Sequence, residues 1–229
     1  MPPSESRAYF LLRHGETQWN RDQRVMGRRD IPLSESGQAQ VLELAPHLAR
    51  LGITRIFTSP LARARATADL VAGHLDRVEV IEDAGLTEVD YAGWEGKTLA
   101  ELVRDPAYHA FQASPLAAPI PGSCERLLDV RDRVLEAMQR MAAVADPGPT
   151  LVVSHGDPLR MILCSCLGLD PANLRRLRVE NGALSSIEWG PQWTEVRFLN
   201  VRPRLDGSNS FEVEGARAVR DHAAAPRRD

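Results

Sequence analysis

Two short apolar runs end in the same pair of residues, and that echo narrows what the chain can fold into. Tyr9-Phe10-Leu11-Leu12 leads into Arg13-His14-Gly15, and Leu151-Val152-Val153 leads through Ser154 into His155-Gly156. Apolar runs this short, without polar alternation, read as strands buried on both faces. A glycine after each histidine lets the chain turn sharply out of the strand. Each imidazole then stands at a strand's carboxyl end, where open parallel sheets gather their ligands. One such histidine alone reads equally as a loop or core residue satisfied by a backbone carbonyl. Two strands ending alike, one with an adjacent arginine, point to a shared site. A guanidinium beside an imidazole suits a phosphoryl group. The planar fork matches phosphate oxygens, and a neutral ring nitrogen can attack phosphorus.

The rest of the chain alternates between strand and helix patterns. Ser34 is a candidate cap for a helix running to Leu51 and stopped by Gly52, with Ala39, Leu42, Ala45, Leu48 and Ala49 as its apolar stripe. Pro46 bends or interrupts it. Ile56-Phe57-Thr58 reads as a strand, followed by a helix capped by Ser59 with Pro60 at its first position. Arg63 falls in the first turn, where the helix dipole disfavours a cation. Either another contact holds it there or it is a solvated surface arginine; Arg65 reads as structural. Val78–Ile81 is a third strand, residues 98–120 include a short helix, and residues 123–144 are helical, with Leu127, Val134, Met138 and Met141 facing the core. Pro158–Leu167 forms the helix after the second histidine, ended by Gly168. Residues 183–189 and 195–199 read as late strands joined at Gly190-Pro191, an antiparallel edge pair. This order predicts a three-layer α/β/α sandwich with a mostly parallel sheet and an antiparallel edge strand. The expected organisation is one domain over residues 1–202, a small cap insert at about 98–122, and a mobile tail over 203–229.

The 229 residues and net charge of −3 give no basic field for nucleic acid. No segment has the length and apolarity of a membrane span or a signal peptide, so a cytoplasmic protein is expected. Lys97 is the only lysine, which reads as genome composition. Cys124, Cys164 and Cys166 are too few and odd in number for a disulfide framework. The last two lie in an apolar helical pattern and read as buried thiols; a metal site there would need further ligands that the neighbouring sequence does not offer.

Six segments in order resemble the histidine phosphatase superfamily, the phosphoglycerate mutase-like group. They are Leu12-Arg13-His14-Gly15-Glu16-Thr17 with Trp19-Asn20, Thr58-Ser59-Pro60-Leu61-Ala62-Arg63-Ala64, Leu86-Thr87-Glu88, Gly93-Trp94-Glu95-Gly96, Pro121-Gly122-Ser123-Cys124-Glu125 and Val153-Ser154-His155-Gly156. Any one is a weak pattern; their shared order, across residues 8 to 190, is specific. The resemblance implies that His14 is the nucleophile, that Arg13 and Arg63 grip the phosphoryl oxygens, and that His155 donates to them, as an imidazolium once a phosphate is bound. Glu88 matches the family's proton donor; Glu95 and Asp90 are lesser candidates. Asn20 either contacts phosphate or bonds its own backbone, and Arg28 could also reach in. Tyr91 and Trp94 are expected to pack their loop, and His109 to lie on the cap surface.

The implied activity is a metal-independent phosphomonoester hydrolase working through phosphohistidine on a small phosphorylated metabolite, with no cofactor, nucleic acid or membrane partner; a homodimer is left open. Mutases of the family carry a longer insert with paired arginines, whereas residues 97–121 are short and offer only Arg104. Phosphoglycerate mutase is the runner-up, followed by a non-catalytic phosphate-binding module. A metallohydrolase built from His14, His155, Glu88 and Asp157 is disfavoured, because the arginines already supply a metal's charge. Asp157 and Arg126 depart from the residues common at their places. Asp157 points away, pairs with Arg160 or binds a substrate hydroxyl or amine; Arg160 turns to the site or lies on the surface.

Overall fold

The computed structural model of the chain describes residues 6–144, 148–190 and 193–202. The expected mobile tail at 203–229, Pro191 of the expected turn and most of the N-terminal segment lie outside the described residues. The chain runs β1 (Arg7–Arg13), α1 (Gln18–Arg21), α2 (Glu35–Ala49), β2 (Arg55–Thr58), α3 (Ala62–Ala72) and β3 (Glu79–Glu82). It continues through α4 (Leu99–Leu102), α5 (Pro106–Ala113), α6 (Leu127–Ala142), β4 (Thr150–Ser154), α7 (Gly156–Leu167), β5 (Leu184–Trp189) and β6 (Thr194–Val201).

The strands form one sheet in the order β3-β2-β4-β1-β5-β6. β3, β2, β4 and β1 are mutually parallel, and β5 and β6 add antiparallel. This is the expected mostly parallel sheet with an antiparallel edge. β1 faces both ways: Tyr9 and Leu11 join one core with Phe57, Val152, α6 and α7, while Phe10 and Leu12 join another with Ile56, Leu151, α2 and α3. Each wholly buried leucine or isoleucine in these layers contributes roughly 1.5–3 kcal/mol. No helix among the described residues is long and apolar enough to cross a membrane.

Three local expectations need correction. The buried stripe of α2 is Gly37, Val41, Leu44, Ala45 and Leu48, while Ala39, Leu42 and Ala49 are exposed. The expected set advances mostly by threes and drifts around a 3.6-residue helix; the observed set advances by threes and fours. Pro46 lies inside α2 without ending it. Ser59 is not the N-cap of α3, which starts at Ala62 with Leu61 as its N-cap; its hydroxyl accepts from the Leu61 N–H at 3.3 Å just before the helix and lies 2.7 Å from Nε2 of His155. The polar loop after β1 contains α1, closed by a reciprocal Thr17–Asn20 capping box.

The sheet positions the site. β1 and β4 are neighbours, with Arg13 opposite Ser154. The His14 N–H donates to the Ser154 carbonyl at 3.0 Å, so both histidines leave the sheet side by side. Beside them, the Ser59 N–H donates to the Val153 carbonyl at 3.0 Å and fixes the end of β2 at the same edge.

Candidate active site

His14 and His155 have ring centroids 5.1 Å apart, and both are buried. Nδ1 of His14 lies 2.7 Å from the Gly15 carbonyl. A carbonyl only accepts, so Nδ1 carries the proton and Nε2 keeps its lone pair. That lone pair accepts from Nε of Arg63 at 3.3 Å. Burial, then the charges of Arg63 and Arg13, hold the His14 pKa well below the ordinary histidine value despite the opposing Gly15 bond. The ring is a neutral base at neutral pH.

Arg63 is wholly buried. Nη2 donates to the Gly27 carbonyl at 2.7 Å and Nη1 to the Arg29 carbonyl at 2.8 Å. The turn after α1 is therefore the contact that holds a cation in the first turn of α3. Arg13 donates Nη1 to the Val179 carbonyl at 2.8 Å, and its Nε is buried with no partner among the described residues. Burial lowers the Arg13 pKa to about 10, so it remains a cation.

His155 places Nε2 2.7 Å from the Ser59 hydroxyl, and its buried Nδ1 has no partner among the described residues. Burial, then Arg63, His14 and Arg13, push its pKa well below the ordinary value. Against the protein's own charges the ring is neutral, and the expected imidazolium requires an added anion to offset those cations. Glu88 lines a cavity with Arg13; Oε1 accepts from the Val89 N–H at 3.0 Å and Oε2 from the Gly156 N–H at 3.1 Å. Burial first, then the charge of Asp157, raise its pKa over the opposing Val89 bond, Arg63 and Arg13.

The cavity, of about 420 Å³, is lined by Arg13, Asn20, Glu88, Tyr91, Asp157 and Arg160, among others. Asn20 combines its two expected readings in part. Its Oδ1 accepts from the Thr17 N–H and hydroxyl, each at 3.0 Å, while the residue borders the cavity. Arg28 is instead drawn to Glu125, at 2.7 Å, and to the Glu88 carbonyl. Glu95 binds the Arg28 N–H and the Arg29 side chain, and Asp90 accepts from the Ala92 N–H. Trp94 is buried among Tyr91, Tyr108 and Phe111, as expected of a packing residue. His109 is exposed, with Nε2 at 2.7 Å from the Val103 carbonyl, and Arg126 is the N-cap residue of α6.

Three contributors were not legible beforehand. Asn181 donates Nδ2 to the His14 carbonyl at 3.1 Å and steadies the turn after β1. Its pairing with Gly182 marks a turn but names no target. Ser59 carries a helix-cap signature that masks its bond to His155. The Tyr91 hydroxyl donates to Asp157, beyond the packing role expected of it. Among the described residues, no three His, Cys, Asp or Glu side chains are grouped to hold a metal ion. Cys124, Cys164 and Cys166 are free thiols; burial raises Cys166 to a pKa of about 12.

The sequence pattern of the histidine phosphatase superfamily (branch 1) matches residues 9–202. A relative from Escherichia coli O1:K1, probable phosphoglycerate mutase GpmB, is 32% identical over 79% of this chain and 84% of its own. The alpha-ribazole phosphatase from Shigella flexneri superposes with a TM-score of 0.76 at 28% identity, over 85% of this chain and 96% of that one. A mycobacterial glucosyl-3-phosphoglycerate phosphatase does so with a TM-score of 0.75 at 28% identity, over 85% and 99%.

Proposed function

Because the chain belongs to the histidine phosphatase superfamily, branch 1, we propose that it hydrolyses a small phosphomonoester through a phosphohistidine on His14. The observation that carries this reading is the lone pair on Nε2 of His14. It is left unprotonated by the Nδ1–Gly15 bond and stands beside Arg63 and the His155 ring, while Arg13, whose charge acts on the same ring, lines a cavity with Glu88. In the first step Nε2 bonds to phosphorus as the ester P–O bond breaks. Glu88 passes its proton to the departing oxygen. In the second, the Glu88 carboxylate takes a proton from water as the water oxygen bonds to phosphorus and the P–N bond breaks, releasing inorganic phosphate. Arg13 and Arg63 bear the charge on the transferring oxygens. Nε of Arg13 and Nδ1 of His155, without partners among the described residues, supply further donors. Asn20 is a phosphate contact through its side-chain amide.

Residues 98–122 act in this reading as a cap that selects the substrate, with Leu99 and Tyr108 on the cavity wall. The mutase name of the Escherichia coli relative favours a second reading, transfer between two hydroxyls. The short segment at 97–121, with Arg104 as its one arginine, favours water as the acceptor. The anionic balance and sparse cysteines fit a cytoplasmic enzyme. Product analysis with a phosphoglycerate separates the two: free phosphate supports hydrolysis, and an isomer without free phosphate supports the mutase. Acid-labile phosphoprotein trapped in the native chain and absent in His14→Ala tests the intermediate; label retained in His14→Ala overturns the assignment.

A further inference from the structure

Asp157 is a carboxylate buried to 6% exposure at the edge of a site suited to an anion. Left alone it would repel a phosphoryl group and bear a large desolvation cost. Both of its oxygens are engaged. Oδ1 accepts from Nη1 of Arg160 at 2.8 Å, and Oδ2 accepts from the Tyr91 hydroxyl. Arg160 is fixed in turn by donating Nε to the Leu177 carbonyl at 2.9 Å. Burial and then Asp157 raise the Tyr91 pKa well above the ordinary tyrosine value, so the phenol keeps its proton and donates. Burial opposes the charge on Asp157 too, but Arg160, Arg175 and these two bonds outweigh it and hold its pKa below the ordinary value.

Glu88 is tied to the residue just before Asp157, through the Gly156 N–H. Two carboxyl groups thus share the first turn of α7 and line one cavity. Glu88 is faced by Arg13 from β1 and Arg63 from α3, which favour its charged form, and by Asp157 from α7, which disfavours it. Arg133 of α6 and Arg28 bond its backbone carbonyl. Asp157 is faced by Tyr91, by Arg160 of its own helix and by Arg175 of the 3-10 turn Pro171–Arg176. Paired carboxyls whose surroundings drive them apart take different roles: one stays ionised and the other keeps a proton to give.

We propose that Asp157 is a positioning residue acting through Glu88: held by Tyr91 and Arg160, its fixed negative charge keeps the Glu88 carboxyl loaded with a proton until the leaving oxygen takes it. The proposal rests on the phosphatase reading above and adds the group that readies its acid.

Asp157→Asn keeps the size and an acceptor oxygen but removes the charge. The alkaline limb of kcat/KM is expected to move about one pH unit lower. Just above neutrality, turnover of an alkyl phosphate should fall roughly tenfold, and that of p-nitrophenyl phosphate, whose phenolate leaves unprotonated, by less than about threefold. Tyr91→Phe leaves Asp157 ionised by Arg160 with its charge less offset, so the limb should move upward. Carbon-13 titration of the Glu88 carboxyl reads the same opposed shifts without turnover, and Tyr91→Phe decides the matter if Asp157→Asn does not fold. Equal losses on both substrates with an unmoved limb, or shifts of the same sign in both variants, overturn the proposal. Trapping on His14 reports separately on the phosphatase reading, so each can fail alone.

Discussion

Arg63 carries a full charge with no surface exposure and, among the described residues, no carboxylate bonded to it. Two carbonyls and a ring nitrogen occupy its fork, a geometry that an ammonium cannot copy. Arg63→Lys is expected to keep the fold by circular dichroism and lower kcat by roughly 10²-fold or more, as loss of an oxyanion donor does. A variant within a factor of a few of wild type would show that the fork is dispensable. On the phosphohistidine reading proposed above, the pH profile follows from His14, whose working form is then the neutral ring. Its pKa is depressed, so the active form persists below the ordinary value of 6.5. The profile of kcat/KM should therefore stay flat from pH 7 through 6.5 and fall only at lower pH. A midpoint at 6.5 or above would mean that burial and the two arginines do not act on the ring as described. The convergence of His14, His155 and Arg63 was legible because residue type and strand-end placement nearly dictate it. The pairing of Asp157 with Arg160, three residues on along α7, was among the readings offered, but the bond from Tyr91 to Asp157 was not, because it joins separate segments and only tertiary pairing reveals the partner of a lone tyrosine.

At the scale of elements, the turn after β1 is clamped by backbone packed on backbone. A Cβ on Gly37 would stand 2.0 Å from the Glu16 carbonyl oxygen, and one on Gly15 would stand 2.5 Å from the Gly37 carbonyl oxygen. The first turn of α2 thus seats directly on the segment that follows His14. Gly37→Ala should cost about 1–3 kcal/mol by overpacking and reduce activity by moving that segment. Urea unfolding together with kinetics measures both, and unchanged values would show that the contact yields freely. The strands and the longer helices were readable from apolar runs and caps. The true stripe of α2 and the start of α3 were not. Several apolar residues of α2 competed for the buried face, and the serine that looked like a cap had a partner far away in sequence.

For the molecule as a whole, two neutral imidazoles at the centre tie stability to pH. Both folded pKa values lie well below 6.5, so the unfolded chain binds protons near that pH while the folded chain does not. Stability is therefore undiminished above pH 6.5 and is lost as pH falls below it, by up to about 1.4 kcal/mol per pH unit for each ring. Unfolding free energies between pH 7.5 and 5.5 would show this slope, and a flat curve would contradict it. The layered fold was legible from strand-helix alternation, since each face of β1 must find its own helices. The pairing of β1 with β4 is the feature with the widest reach. A chain emerging from the ribosome holds its first imidazole long before the second has been made. Until β4 is synthesised and slots in beside β1, that ring lacks its partner imidazole, so on the proposed reading catalytic competence arrives late and all at once. In refolding, recovered turnover should never run ahead of recovered tryptophan fluorescence.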